Sequence, residues 1–202
     1  MRIPKKASLI AASLLLGAGS ANAADLGYSY VDFNYDMLTL DAGGGDLDGN
    51  RIGIEGSFSL SNLLFVEGGY NTAKFDESGV ELTSDILFAG IGARHSMTPN
   101  ADVYGSLGFL MDDTEIETGF GTFSDDDTGI YLKPGIRGMV GGNIELFGEY
   151  EYVDIYDDST TSLEFGGRYY FNATSAVTLK YITGDNGGLD YDGFGLGLRV
   201  GL

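Results

Sequence analysis

His95 is the single histidine of the chain, and Ser96 beside it with Asp102 in the same hairpin comes nearest to a hydrolytic set. A hydroxyl nucleophile needs a base within hydrogen-bond reach, an acid to orient that base, and donors for an oxyanion. Nothing around His95 supplies those donors, so a structural histidine and no enzyme are expected. Oxygen-ligand chemistry is the second candidate. Asp46-Leu47-Asp48-Gly49-Asn50 starts like a calcium loop, but the EF-hand order requires glycine at the sixth position and a closing glutamate, and neither is met. Asp112-Asp113 and Asp125-Asp126-Asp127 offer carboxylates to divalent cations, although solvated charge is the plainer expectation for acidic runs. With no cysteine there is no thiolate site and no disulfide. The glycines recur inside strand-like stretches, not between a strand and a helix as a phosphate cradle requires. No metal and no cofactor are expected.

Ion-pair chemistry is the systematic signal. Gly-x-Arg recurs at Gly92-Ala93-Arg94, Gly135-Ile136-Arg137, Gly166-Gly167-Arg168 and Gly197-Leu198-Arg199, each near the end of a stretch whose apolar residues fall on every second position. A period of two is that of a β-strand, whose alternate side chains point to opposite faces. Glycine and arginine share one face and mostly apolar residues the other. A soluble sheet buries its apolar face; here the charges are predicted to line the inside of a closed sheet and the apolar residues its outer wall. In that phase Arg51, Arg94, Lys133, Arg137, Arg168, Lys180 and Arg199 point inward. So do Glu55, Glu67, Glu145, Glu149, Glu151 and Glu164, with Asp32 and Asp36. The near balance predicts a salt-bridged lumen, glutamates facing arginines across adjacent strands and glycines leaving room for the long side chains.

The elements that must position these charges are ten strands, near 26–37, 50–60, 63–74, 82–95, 102–112, 129–140, 143–154, 162–171, 175–184 and 191–202. Ile52, Ile54, Phe58 and Leu60 oppose Arg51, Gly53, Glu55, Ser57 and Ser59 most cleanly, while the alternation blurs in the first strand and around Ile86-Leu87-Phe88. Tight turns, such as Ser61-Asn62 and Gly141-Gly142, alternate with longer acidic loops near 38–49, 75–81, 113–128, 155–161 and 185–190. The prediction is an all-β, antiparallel, transmembrane up-and-down β-barrel of ten strands, with eight as the alternative if two weaker hairpins belong to loops. Pro134 cannot donate to the ladder, and a bulge is expected there.

Residues 1–23 have the pattern of a signal peptide: basic Arg2, Lys5 and Lys6, an uncharged apolar run from Ala7 to Ala18, and Ala21-Asn22-Ala23 before the cleavage point. The run is too short for a membrane-spanning helix, which needs about 20 residues. Residues 24–202 form one domain. Loss of the leader leaves eight of the 11 basic residues against all 30 acidic ones, a balance that excludes nucleic acid as a partner. The 33 glycines, 13 tyrosines and 12 phenylalanines suit a turn-rich β protein.

The leader, the ten alternating segments, the Gly-x-Arg strands and the glycine-aliphatic last strand together resemble small bacterial outer-membrane β-barrel proteins of the porin-like and OmpA-like kind. The resemblance covers Ala24 to Leu202. It implies secretory export, insertion into the outer membrane by the barrel assembly machinery, and a bilayer with lipopolysaccharide as surroundings. Protease-like barrels resembling the omptins use a histidine near acids at the outer rim, and this chain has none there. The expected role is a non-enzymatic, monomeric barrel with a charge-filled lumen and acidic outer loops, structural or concerned with surface interactions. A narrow channel for ions or small solutes is the alternative, and a lipid-modifying or proteolytic barrel the second alternative.

Overall fold

A computed structural model describes residues 26–41, 45–77, 80–156 and 158–202; the leader at 1–23 lies outside the described residues. Ten strands follow one another: β1 Tyr30–Asp41, β2 Asp46–Ser59, β3 Leu64–Glu77, β4 Val80–Thr98, β5 Ala101–Thr118, β6 Gly121–Val140, β7 Ile144–Ile155, β8 Asp158–Tyr170, β9 Ser175–Asn186 and β10 Leu189–Gly201. Each pairs with its chain neighbour, and β1 pairs with β10 from Tyr30 opposite Gly201 to Leu40 opposite Tyr191, which closes the barrel. Closure removes both sheet edges, so every strand has two hydrogen-bonded neighbours.

The period-two pattern resolves into two walls. Ile52, Phe58, Phe109 and Leu196 project outward and are 54, 56, 68 and 55% exposed, whereas Asp36 and Glu145 point inward at 1 and 0%. An apolar exterior on this scale is stable only against lipid, where a closed barrel satisfies its backbone polar groups. Toward the hairpin mouth, opposite the chain termini, the outer wall turns acidic at Asp48, Asp85, Asp113, Asp126 and Asp192. Tyr70 and Tyr181 donate to Asp85 and Asp192 at 2.8 and 3.2 Å along this border, the amphipathic placement tyrosine favours at a membrane interface.

Three sequence expectations are corrected. The acidic stretches are largely strand: β5 and β6 stay paired to Thr118 opposite Gly121, and Asp46–Asn50 is the start of β2. β6 has 20 residues, which at ~3.3 Å per residue and ~40° tilt stand ~50 Å tall, about twice the ~25 Å apolar band of such barrels. The polar composition of 113–128 hid an alternation that continues there. Secondly, Pro134 causes no bulge. It sits opposite Gly105, and β6 resumes pairing with β7 in unchanged register at Gly135 opposite Glu149. The only cost is a gap in that ladder, and the register shift lies instead between Ser96 and Thr98. Thirdly, β1 begins at Tyr30, because Leu26 to Ser29 turn into the lumen, where Leu26 and Tyr28 are buried. The β9–β10 turn is a two-residue Gly187-Gly188 pair with φ of 59° and 88°, the conformation that fits hairpin twist and favours glycine.

Candidate functional site

The lumen divides into two storeys. In the storey nearest the chain termini, the inward side chains reach one another. Arg199 on β10 donates through Nε and Nη2 to Asp32 on β1 at 2.8 and 2.6 Å, across the seam, with its guanidinium 3.5 Å from the Tyr30 ring centre. Arg168 on β8 meets Glu145 on β7 at 2.5 Å, and Tyr170 donates to the other Glu145 oxygen at 2.8 Å. These pairs sit directly opposite each other in the ladders, where opposed charges attract most effectively.

The N-terminal segment fills what remains. Arg137 donates to the carbonyls of Leu26 and Gly27 at 2.8 and 3.1 Å. Arg94 donates to the carbonyls of Leu26 and Asn62, both at 2.9 Å, and lies 3.8 Å from Asp102. The Tyr28 ring lies between these guanidiniums, 3.6 Å from Arg137 and 4.6 Å from Arg94, and packs on Phe65 at 4.9 Å. The space left in this storey is about 50 Å³.

At mid-height the ion pairs join neighbouring strands and also cross the lumen. Arg51 on β2 binds Asp36 at 2.8 Å and Glu164 on β8 at 3.1 Å; Lys180 binds the same two acids at 3.3 and 3.2 Å. Lys133 on β6 reaches Glu67 on β3 at 3.3 Å, and Ser106 and Tyr131 donate to that carboxylate at 2.6 and 2.9 Å. Tyr104 donates to Glu149 at 2.8 Å. Glu55 and Glu151 face the lumen with no ion pair or hydrogen bond among the described residues.

Above this floor the lumen is hollow. A cavity of about 560 Å³ has walls of Leu38, Leu40, Leu82, Ile86, Leu110 and Val153. The floor carries Arg51, Glu55, Lys133, Glu149, Glu151 and Glu164. Tyr156 stands at the rim with φ of 57°. Its amide donates to Asp127 at 2.7 Å and its hydroxyl to the Asp112 carbonyl at 3.2 Å, bonds that hold a conformation few non-glycine residues adopt.

Arg51, Glu164 and Lys180 come together, as do Lys133 with Glu67 and Arg168 with Glu145. Two details differ from expectation. Of the Gly-x-Arg arginines named above only Arg168 touches a glutamate: Arg199 takes Asp32, Arg94 takes Asp102, and Arg137 takes main-chain carbonyls. Gly92 and Gly135 seat rings, not arginine stems: a Cβ on either would strike the ring of Phe65 or Tyr104, each directly opposite, whereas Gly166 lies against Lys180. Aromatic rings lying over cross-strand glycines are a known device for stabilising sheets. Gly49-Asn50-Arg51 is a further copy of the motif, and its Arg51, like Lys180, binds two acids of the floor.

His95 is exposed, on the outward face opposite Val103, while Asp102 is buried inside, so the two stand on opposite sides of the wall. Among the described residues no group of three or more His, Asp or Glu side chains could hold a metal ion. Asp112 and Asp127 are occupied by Ser84 and by the Thr128 amide, both at 2.8 Å. The apolar upper wall was missed, although its signal was present: both faces are apolar at Ile86-Leu87-Phe88 and at Met37-Leu38, which is why alternation blurs there.

A closed, lipid-clad barrel with a polar floor is the architecture of an outer-membrane protein. The sequence matches the outer membrane protein beta-barrel domain across residues 8–201; the chain belongs to that family and resides in the bacterial outer membrane. Among solved structures it is similar to Neisserial surface protein A, with 12% identity, 87% of this chain and 98% of that chain covered, and a TM-score of 0.50. It is also similar to the translocator domain of the autotransporter NalP from Neisseria meningitidis, with 10% identity, 98% and 94% covered, and a TM-score of 0.50. Identities this low speak for the fold alone. No curated protein sequence matches the chain. In such barrels the short turns are periplasmic, so the terminal mouth faces the periplasm and the hairpin mouth the outside.

Proposed function

We propose that this protein is a non-enzymatic outer-membrane barrel that is closed to through-flow, stabilises the envelope and displays acidic hairpins for surface interactions. One observation carries this reading: Arg94 and Arg137 clasp the Leu26 carbonyl and pin Tyr28 across the periplasmic storey. The remaining 50 Å³ accommodates one or two waters, each taking ~30 Å³, and no hydrated ion. Export with removal of residues 1–23, insertion by the barrel assembly machinery, a monomeric state, contact with lipopolysaccharide and divalent cations held loosely at the acidic rim belong to the same proposal.

Planar-bilayer recording of the purified protein is the test. The expected trace is quiet; steady single-channel openings would overturn the closed reading in favour of a narrow channel. The large outer cavity is what favours that second reading, since displacement of Leu26 to Ser29 would join it to the periplasm. For a lipid-modifying or proteolytic barrel, hydrolysis lost on His95→Ala would be the deciding result.

A further inference from the structure

We propose that the outer storey of the lumen is a binding site for a small amphipathic organic cation, an ammonium group on an apolar body. The cavity of about 560 Å³ lies within the ~300–1,000 Å³ range of small-molecule sites. Its upper wall is aliphatic at Leu38, Leu82, Ile86 and Leu110, all inward-facing on three different strands. Its floor is acidic in excess. Arg51 is taken by Asp36 and Glu164, and Lys133 by Glu67, which leaves the Glu55 and Glu151 carboxylates bordering the cavity without a direct partner. Lys133 attracts both carboxylates only at longer range, and a carboxylate with no direct counter-ion is stabilised when a cation joins it. An ammonium at the floor supplies that cation while its apolar body covers the aliphatic wall. An anion of the same size would meet Glu55 and Glu151 and be repelled; a bare metal ion would leave the wall wet.

Access is from one side. The ion-paired periplasmic storey closes the bottom, so ligand enters past the acidic rim. There Asp85 and Asp113 face each other on β4 and β5, and Asp113 and Asp126 on β5 and β6. A rim of one sign concentrates counter-ions and raises their rate of encounter.

The test compares two probes of nearly equal size, phenylbutylammonium and phenylbutyrate, titrated by calorimetry into the full-length barrel in zwitterionic lipid nanodiscs. The cation is expected to bind saturably at one site and the anion not at all. The Glu55→Gln/Glu151→Gln variant, its fold checked by heat-modifiability on gels, is expected to weaken cation binding at least tenfold. Leu110→Trp, which narrows the cavity at its aliphatic wall, is expected to weaken it as well. Equal uptake of the two probes, or undiminished cation binding by the glutamine variant, would overturn the proposal, since both mean simple apolar partitioning. The two-probe comparison needs no variant and stands even if a substitution prevents folding. It is also independent of conductance: a conducting barrel that binds the cation keeps this site and loses only the closed reading.

Discussion

The two storeys of the lumen are built by the same ten strands with the same alternation, yet one is packed and the other hollow. An eight-stranded barrel is just narrow enough for inward side chains to fill; ten strands enclose more than side chains alone can occupy. In the periplasmic storey the surplus is taken up by Leu26 to Ser29, clasped by Arg94 and Arg137, and by rings lying over glycines. In the outer storey no chain segment enters among the described residues: aliphatic residues and short polar ones such as Asn71, Ser84 and Thr114 stop short of the axis, the rings of Phe75, Phe88, Tyr131 and Tyr191 lie over wall glycines, and about 560 Å³ stays open. The inserted N-terminal segment, not strand geometry, separates plug from vessel.

Five substitutions would sharpen or break this contrast. The largest effect is expected from Arg199→Ala, which leaves Asp32 buried and unpaired and should cost about 3–5 kcal/mol. Urea unfolding in lipid vesicles measures it, and a loss under 1 kcal/mol would show that the seam pair is incidental. Phe65→Ala should cost about 3–5 kcal/mol, because the ring is buried beneath Tyr28. Leu82→Ala, at the wall of a cavity already present, should cost about 1 kcal/mol or less, mostly its transfer free energy; equal losses would deny that the outer storey is hollow. Arg137→Ala removes charge-assisted bonds to the N-terminal segment, each kind worth about 1.5–3 kcal/mol, and should add leakage in bilayers. Unchanged heat-modifiability with no added leakage would count against the clasp. The smallest effect is expected at the rim, where Asp113 faces Asp85 and Asp126. Asp113→Asn should stabilise by about 0.2–1 kcal/mol at low salt, less as salt rises.

How much of this could be read from residues alone differs between the storeys. Strand number and wall polarity were legible because the pleat allows only two directions, so Ile52 against Arg51 or Leu198 against Arg199 decides both faces at once. Partnerships within one ladder were partly legible, as for Glu145 and Arg168. Pairs such as Lys133 with Glu67 and Arg51 with Glu164 were not, because strand tilt and stagger decide which levels meet across the lumen. Leu26 and Tyr28 alternate like any strand start, so nothing local distinguishes a plug from an extra turn of ladder. Glu115 and Glu117 made a paired strand look like a loop, since polarity outweighed their regular spacing.

The first and last strands, joined by an ion pair between residues 167 positions apart, have a further role in assembly. Sliding β10 along β1 by two residues keeps the oily and polar walls correct, so lipid alone would not detect the error. It would set Arg199 against Tyr30 or Asn34 and leave Asp32 without its cation. The seam thus carries its own proofreading mark: only the true register lets the cylinder shut with both charges cancelled.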